Sequence, residues 1–512
     1  MKKIFLLFTF LFIFTTLAAA ERVLVVGDSI TAQSNADWGY APIVRKALAD
    51  AGVTDVTFVS LGWSGQTVAG WIPVVERTKT DLNVHGDRAD ILFKQEFDQG
   101  GDTLIVFLGM NDVLCPYVFP TDEGYAKWKA DYCTLIDRLR ERVPSCKRLL
   151  LCPPTMLTEN PYCVKNQIMD RMGEIMVEIC KEKNARILDF RGEIKRFFLN
   201  ARLLNNSFHF TPDCVHPRHE GHLVMAWTIL RGIGQEAAAE KVYEQIPAEI
   251  KDFTTPGMSL FVLNSLEIGK MQLRGHVRGV AKNEIKVECP EGWKLDEVAD
   301  LGGDEFEIRL SGYSKALTSE LVVKAGAIER KVKMNAPFMV SQFFDGKPFG
   351  GGDSYQPEAT RTSIDDAVLA RECPLEARVN GQPVKWTVYY PQADVTGFDV
   401  PCAIDFASVE NGQQFQTAYI ARKVVSPKAQ KVKLNVNALS FSTMAYPTIY
   451  ENGKQVYENC VSPRHRQARD FVEIDLQPGE NVIVARVGHF CWQWAVEFAI
   501  EGGEGLEYSV KP

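Results

Sequence analysis

The sequence predicts an α/β domain, a parallel sheet with helices on both sides, followed by two all-β units. Three observations predict it. From Arg22 to about Gln245, short apolar runs alternate with amphipathic stretches. The runs lack period-two alternation, as expected of strands covered on both faces. After Pro247 the segments become short and alternating, the pattern of a β-sandwich.

The elements follow in order. Val23–Val26, Val56–Leu61, Thr103–Leu108, Arg148–Cys152 and Arg186–Phe190 are rich in Leu or β-branched residues and read as strands. Ala41–Ala51, Glu123–Arg142, Asn166–Glu182 and His219–Arg231 carry helical periodicity between them. Strand–helix alternation of this kind builds a parallel sheet. Thr254-Thr255-Pro256-Gly257 reads as a linker. Beyond it, Glu284–Val287, Glu305–Leu310 and Lys331–Met334 alternate as sandwich strands, and a second β block runs from about Phe338. There, Asn452-Gly453 between two apolar-aromatic pairs signals a two-residue hairpin turn, and Pro478-Gly479 a further turn. Trp492, Trp494, Val496 and Phe498 alternate and predict one strand facing a core. The expected division is 1–20, 21–248, 254–338 and 339–512.

Residues 1–20 differ from the rest. Lys2 and Lys3 precede an apolar run from Ile4 to Leu17, closed by Ala18-Ala19-Ala20. This is the layout of a cleaved secretory signal, and the run is shorter than the ~20 apolar residues of a spanning helix. The expected location is therefore periplasmic or secreted, with no membrane span after signal removal. The chain has 512 residues and a formal charge of −8, which argues against a nucleic-acid partner. Its 12 cysteines are scattered without a CxxC pair, so neither a zinc site nor a disulfide framework is signalled.

Four motifs sit at predicted strand ends, where ligand sites of open α/β sheets lie. Gly27-Asp28-Ser29 follows the first strand, Ser64-Gly65-Gln66-Thr67 the second and Gly109-Met110-Asn111-Asp112 the third. Asp213-Cys214-Val215-His216-Pro217 precedes the last helix of the domain. A serine hydroxyl becomes a nucleophile when an adjacent base takes its proton, and His216 can be that base. Asp213, three residues earlier, can fix the imidazole tautomer. Attack on an ester creates an oxyanion that needs preorganised donors. The Ser29 and Gly65 amides and the Asn111 side chain are the candidates. Asp28 and Asp112 read as loop braces. His219 and His222 follow His216 at steps of three, but HExxH spacing is absent and no metal or other cofactor is expected. His209 lies nearby in sequence without an assigned role.

These motifs resemble those of the SGNH (GDSL-type) hydrolases, over about residues 22–235. The namesake positions would be Ser29, Gly65, Asn111 and His216, with Asp213 completing the triad. Gly62 shares a loop with Gly65, and Ser-Gly-x-Thr favours Gly65. The resemblance implies a three-layer α/β/α, flavodoxin-like fold with a five-stranded parallel sheet. The serine is not in a Gly-x-Ser-x-Gly elbow, which argues against the α/β-hydrolase fold. Trp38, Trp63 and Trp71 flank the first two motifs and are candidate substrate contacts, able to stack on a sugar ring or to pack. In the second β block, Ala418-Tyr419-Ile420-Ala421, Ser426-Pro427-Lys428-Ala429-Gln430, Asn452-Gly453-Lys454 and Pro478-Gly479-Glu480-Asn481 resemble galactose-binding-like jelly-roll modules of bacterial glycan-degrading enzymes. Together these resemblances imply an exported serine esterase that removes short acyl groups, acetyl first among them, from a carbohydrate. An acyltransferase using the same site and a non-catalytic glycan-binding protein are the alternatives.

Overall fold

The computed structural model describes residues 20–80, 88–114, 120–263, 267, 269–348, 356–369, 374–390, 403–406, 409, 415–438, 443–458, 471–492 and 494–509. The expected signal at 1–20 lies outside the described residues except for its last alanine.

Five parallel strands form the first sheet: β1 (Glu21–Gly27), β2 (Val56–Gly62), β3 (Thr103–Phe107), β4 (Arg148–Cys152) and β5 (Arg186–Ile187). Their order is β2-β1-β3-β4-β5, so the chain reverses direction across the sheet between β1 and β3. Val23–Val26 and Leu104–Val106 are fully buried, which is why these runs carry no polar alternation. Register aligns Gly27 with both Gly62 and Phe107. Three strands therefore end level, and their following loops leave from one edge. That edge is the switch point at which open sheets hold ligands.

The helices are α1 (Ser29–Gln33), α2 (Tyr40–Asp50), α3 (Val68–Arg77), α4 (Arg88–Asp98), α5 (Met110–Leu114), α6 (Asp122–Arg142), α7 (Val164–Glu182), α8 (Phe190–Leu204), α9 (His219–Gly232) and α10 (Glu236–Gln245). They pack in two groups, α3 with α6 and α7, and α2 with α8, α9 and α10. The fifth strand is shorter than predicted. Asp189 caps α8 by accepting the Gly192 N–H at 2.8 Å, so the chain turns helical at Phe190.

The remainder is rich in antiparallel sheet. β6 (Gly257–Leu263), β7 (Lys270–Arg278), β9 (Trp293–Gly302) and β10 (Glu305–Gly312) form one sheet, in the order β6-β7-β10-β9. β8 (Ile285–Glu288), β11 (Thr318–Ala325) and β12 (Ile328–Asn335) form another. Their inward side chains, among them Phe306, Ile308, Leu321 and Val323, share one core. From Phe338 onward lie an eight-stranded and a four-stranded antiparallel sheet, with a two-stranded one beside them. Asn452 and Gly453, at φ 49° and 80°, join Thr443–Glu451 to Lys454–Glu458 as the hairpin signal predicts. One expectation is corrected in part: Trp494, Val496 and Phe498 do share one core, but no single strand carries the run. The run from Trp492 to Phe498 is split between Gly479–Trp492, paired in one sheet, and Ala495–Glu501, paired in the other. Trp494 occupies the crossing and is buried, stacked 4.5 Å from Phe406 and 4.9 Å from His489.

Among the described residues no helix is long and apolar enough to cross a membrane. Cys133, Cys146, Cys152, Cys180 and Cys289 are free thiols.

Candidate active site

The turn after β1 presents Ser29. Gly27 is required there by space, since a Cβ would lie 2.0 Å from Thr31 Oγ1 and 2.9 Å from the Phe107 carbonyl oxygen. The Gly27 carbonyl accepts two hydrogen bonds, from the Trp63 N–H at 3.0 Å and the Trp71 indole N–H at 3.1 Å. Asp28 caps α1 by accepting the Ile30 N–H at 3.0 Å. Burial pushes its carboxyl up to about 6, against the lowering effect of that hydrogen bond and of His216.

The Ser29 hydroxyl is 2.8 Å from His216 Nε2, and His216 Nδ1 is 2.6 Å from Asp213 Oδ2. Asp213 Oδ1 accepts the Val215 and His216 backbone N–H groups at 3.0 and 2.8 Å. Burial works to raise the Asp213 pKa, but the His216 ring and the two amides outweigh it and hold the carboxyl below its usual range. With a carboxylate at Nδ1, that nitrogen carries the proton and Nε2 is left to accept one from the hydroxyl. Sequence positions 29, 213 and 216 thus meet in a hydroxyl–imidazole–carboxylate relay.

Gly65 and Asn111 lie on the neighbouring loops. Gly65 has φ 77°, the left-handed region, and an added Cβ would meet no atom within 4 Å, so backbone conformation rather than space demands glycine. Gly62 differs: a Cβ there would lie 1.9 Å from the Ala32 nitrogen, which marks it as the contact point between β2 and α1. Asn111 is buried and donates from Nδ2 to the Gln66 carbonyl at 3.0 Å, tying the second loop to the third. Its amide has a second N–H to offer. Asp112 reinforces the tie by accepting the Val68 N–H at 3.2 Å, and burial pushes its carboxyl up to about 7. Thr67 caps α3 through the Gly70 N–H at 3.0 Å.

The three tryptophans part company. Trp71 is fully buried with its indole on Gly27, so its expected contact with substrate is corrected: it braces the serine turn. Trp63 is partly buried against Phe93, 6.0 Å between ring centroids, with the Arg77 guanidinium over it. Trp38 is 42% exposed and is held from below. His219 Nδ1 donates to its carbonyl at 2.9 Å, and the His222 ring meets it edge-on at 5.0 Å. His222 is buried, accepts the Tyr40 N–H at 3.2 Å, and is pushed down to about 3 by burial, so it is neutral. Both histidines are thereby occupied in holding the Trp38 segment. Among the described residues, no cluster of His, Cys, Asp and Glu is placed to hold a metal ion.

Sequence reading missed the clamp on the His216 loop. Glu159, buried on the segment after β4, accepts the Thr211 N–H at 3.0 Å and hydroxyl at 2.6 Å, and the Phe210 N–H at 3.4 Å. The adjacent Thr158 N–H donates to the Cys214 carbonyl at 2.8 Å. Thr158 and Cys214 sit at φ 62° and 70°, a strained region for non-glycine residues. No motif announces Glu159. Its partners are more than 50 residues away, and only an isolated acid in an apolar stretch hints at it.

Residues 25–224 match the GDSL-like Lipase/Acylhydrolase family. An acetylxylan esterase of Geobacillus stearothermophilus is 25% identical over 236 residues, 43% of this chain and 97% of that protein. The crystal structure of Axe2, an acetylxylan esterase of the same organism, is 24% identical, with 43% of this chain and 96% of that chain covered and a TM-score of 0.33. That of the acetyl xylan esterase AlAXEase is 21% identical, with 44% and 100% covered and a TM-score of 0.31.

Proposed function

We propose, from a chain whose residues 25–224 carry a GDSL-type acylhydrolase domain, that this domain is a serine esterase removing acetyl groups from carbohydrate hydroxyls. The observation that carries the reading is the relay itself, 2.8 Å from Ser29 to His216 and 2.6 Å from His216 to Asp213. Ser29 Oγ attacks the ester carbonyl while His216 Nε2 takes its proton. Asp213 holds the ring in the Nδ1–H tautomer and steadies the imidazolium. The Ser29 and Gly65 amides, with the second N–H of Asn111, receive the negative charge on the carbonyl oxygen. His216 returns the proton to the departing sugar oxygen, and the acyl group stays on Ser29. Water, deprotonated by the same imidazole, then releases acetate and restores the serine.

The acetyl-carbohydrate reading is supported by the named activity of the 25% identical relative. Trp38, exposed and propped by two histidines, is the platform on which a sugar ring would stack. The basic and apolar start of the sequence supports export, with the catalytic domain ending near residue 248 and two β domains at 254–338 and 339–512. The test is an ester panel: acetylated xylan, pectin, sialic acid and aryl acetates beside a longer-chain lipid ester. Wild-type protein should release acetate and be labelled at Ser29 by a fluorophosphonate, and Ser29→Ala should do neither. Turnover retained in purified Ser29→Ala protein would remove the serine from the mechanism.

A further inference from the structure

The loop that carries Asp213 and His216 runs from the end of α8 to the start of α9. Unlike the Ser29 and Asn111 loops, it does not spring from a central strand, so something else must hold it. Part of the support is Glu159. The rest comes from beyond the catalytic domain.

Three consecutive residues of β6 each grip a different part of the loop's foundations. The Leu260 N–H donates to Asn206 Oδ1 at 3.0 Å, at the loop's beginning. The Phe261 ring is buried in the core of the catalytic domain rather than its own, 5.7 Å from the Arg202 guanidinium. Arg202 is itself buried and also lies 5.2 Å from the Phe198 ring, which meets Phe261 at 6.2 Å between centroids; burial raises the pKa of the Glu159 carboxyl, and the positive charge of Arg202 works against that rise. The Val262 carbonyl accepts Asn160 Nδ2 at 3.2 Å, next to Glu159 in the chain. From β12, Arg330 donates to the Leu203 and Leu204 carbonyls at 2.7 and 3.3 Å. Those are last-turn carbonyls of α8, which a helix end leaves without partners of its own, and a cation there also suits the helix dipole. The fit is close: a Cβ on Gly257 would lie 2.5 Å from the Leu203 carbonyl oxygen.

We infer that the first β-sandwich is a working part of the esterase, with Phe261 and Arg330 as positioning residues that set where the His216 imidazole stands. Each acts through another group, Phe261 through Phe198, whose ring meets Phe210 on the loop at 6.3 Å, and Arg330 through the end of α8. The inference rests on the esterase reading for its kinetic consequence but not for its structural one. Displacing a base by about an ångström can cost on the order of a hundredfold in rate. Removing one support of several should cost about tenfold in kcat.

The test uses the full chain, with kcat expressed per Ser29 titrated by fluorophosphonate, so that misfolded protein is not counted. Arg330→Met and Phe261→Ala should each lower kcat on an aryl acetate about tenfold, with KM within about twofold of wild type. Arg330→Lys, which keeps a cation at the helix end, should regain most of the loss. Lys331→Met, which removes only a surface pair with Glu320, should match wild type. Hydrogen exchange over residues 205–218 should quicken in Arg330→Met and stay unchanged in Lys331→Met. Wild-type kcat and unchanged exchange in both Arg330→Met and Phe261→Ala would overturn the inference. Should those variants fail to fold, the milder Phe261→Leu decides it: quickened exchange over 205–218 supports the inference, and exchange identical to wild type overturns it. A wild-type chain without turnover or label would sink the esterase reading instead, and the exchange result would still judge the support.

Discussion

Replacing Asp213 by asparagine changes one atom and should disable the site, because the surroundings dictate which way the amide must lie. Oδ1 accepts two backbone N–H groups, from Val215 and His216. An amide nitrogen in that place would oppose two donors with a third, at about 1–3 kcal/mol for each buried group left unsatisfied. The amide oxygen therefore stays on the backbone, and its NH2 faces His216 Nδ1, 2.6 Å away in the native arrangement. Nδ1 must then accept, Nε2 carries the proton, and the imidazole points an N–H at the Ser29 hydroxyl it should deprotonate. The relay keeps its shape and loses its direction. The expected fall in kcat is on the order of 10⁴, equal to about 5.5 kcal/mol of barrier. Acetate release from an aryl acetate measures it. Asp213→Asn protein that keeps more than about a tenth of wild-type kcat would refute the tautomer argument.

Asn111→Ala should lower kcat by about 10²–10³ if its amide serves the oxyanion, and stopped-time acetate assays with an unchanged kcat would move that role elsewhere. Asp112 is one pH-dependent element of the fold. Its carboxyl is pushed up to about 7 from 3.8, so the folded state holds the proton more tightly than the unfolded state. Its contribution is intact below pH 3.8 and is lost as pH rises toward 7. Asp112→Asn should therefore gain on the order of 2–4 kcal/mol over wild type at pH 8 and little at pH 4, read from urea melts; equal gains at both pH values would contradict it. Trp38→Ala should raise KM for an acetylated oligosaccharide about fivefold, the worth of ~1 kcal/mol of ring stacking, and leave a small aryl acetate unaffected. Equal KM values for the oligosaccharide would return Trp38 to a packing role.

The central strands were readable because burial on both faces leaves no choice of residue: Val23–Val26 and Leu104–Val106 can be little else. The motif loops were readable because each carries residue types that ordinary loops do not need together. Helices α1, α3, α4, α5, α8 and α10 escaped. In α3 the chain enters the helix directly from the second motif, and Pro73 sits inside it, a residue that ordinarily ends a helix. For α8, the apolar run from Arg186 to Phe190 reads as strand to its end, whereas the Asp189 cap starts the helix at Phe190. The strand split at Trp494 hides for another reason. Two strands of different sheets happen to continue one alternation across the crossing. Among site residues, Glu159 was illegible because its meaning is tertiary: it is a buried acid whose partners, Phe210 and Thr211, lie on a distant loop. For Trp71 substrate contact and packing stood side by side in the sequence, because an aromatic beside a nucleophile reads alike whether it faces substrate or carries the backbone beneath.

That backbone has a last implication. Both lone pairs of the Gly27 oxygen are engaged, by the Trp63 amide and the Trp71 indole. A carbonyl oxygen held by two donors resists turning of its peptide plane, and the next residues are Asp28 and Ser29. The nucleophile is thus mounted like an anvil. Adjustment during acylation and deacylation is therefore left to side chains, the Ser29 hydroxyl and the imidazole, and to the incoming ester, rather than to the backbone beneath the serine.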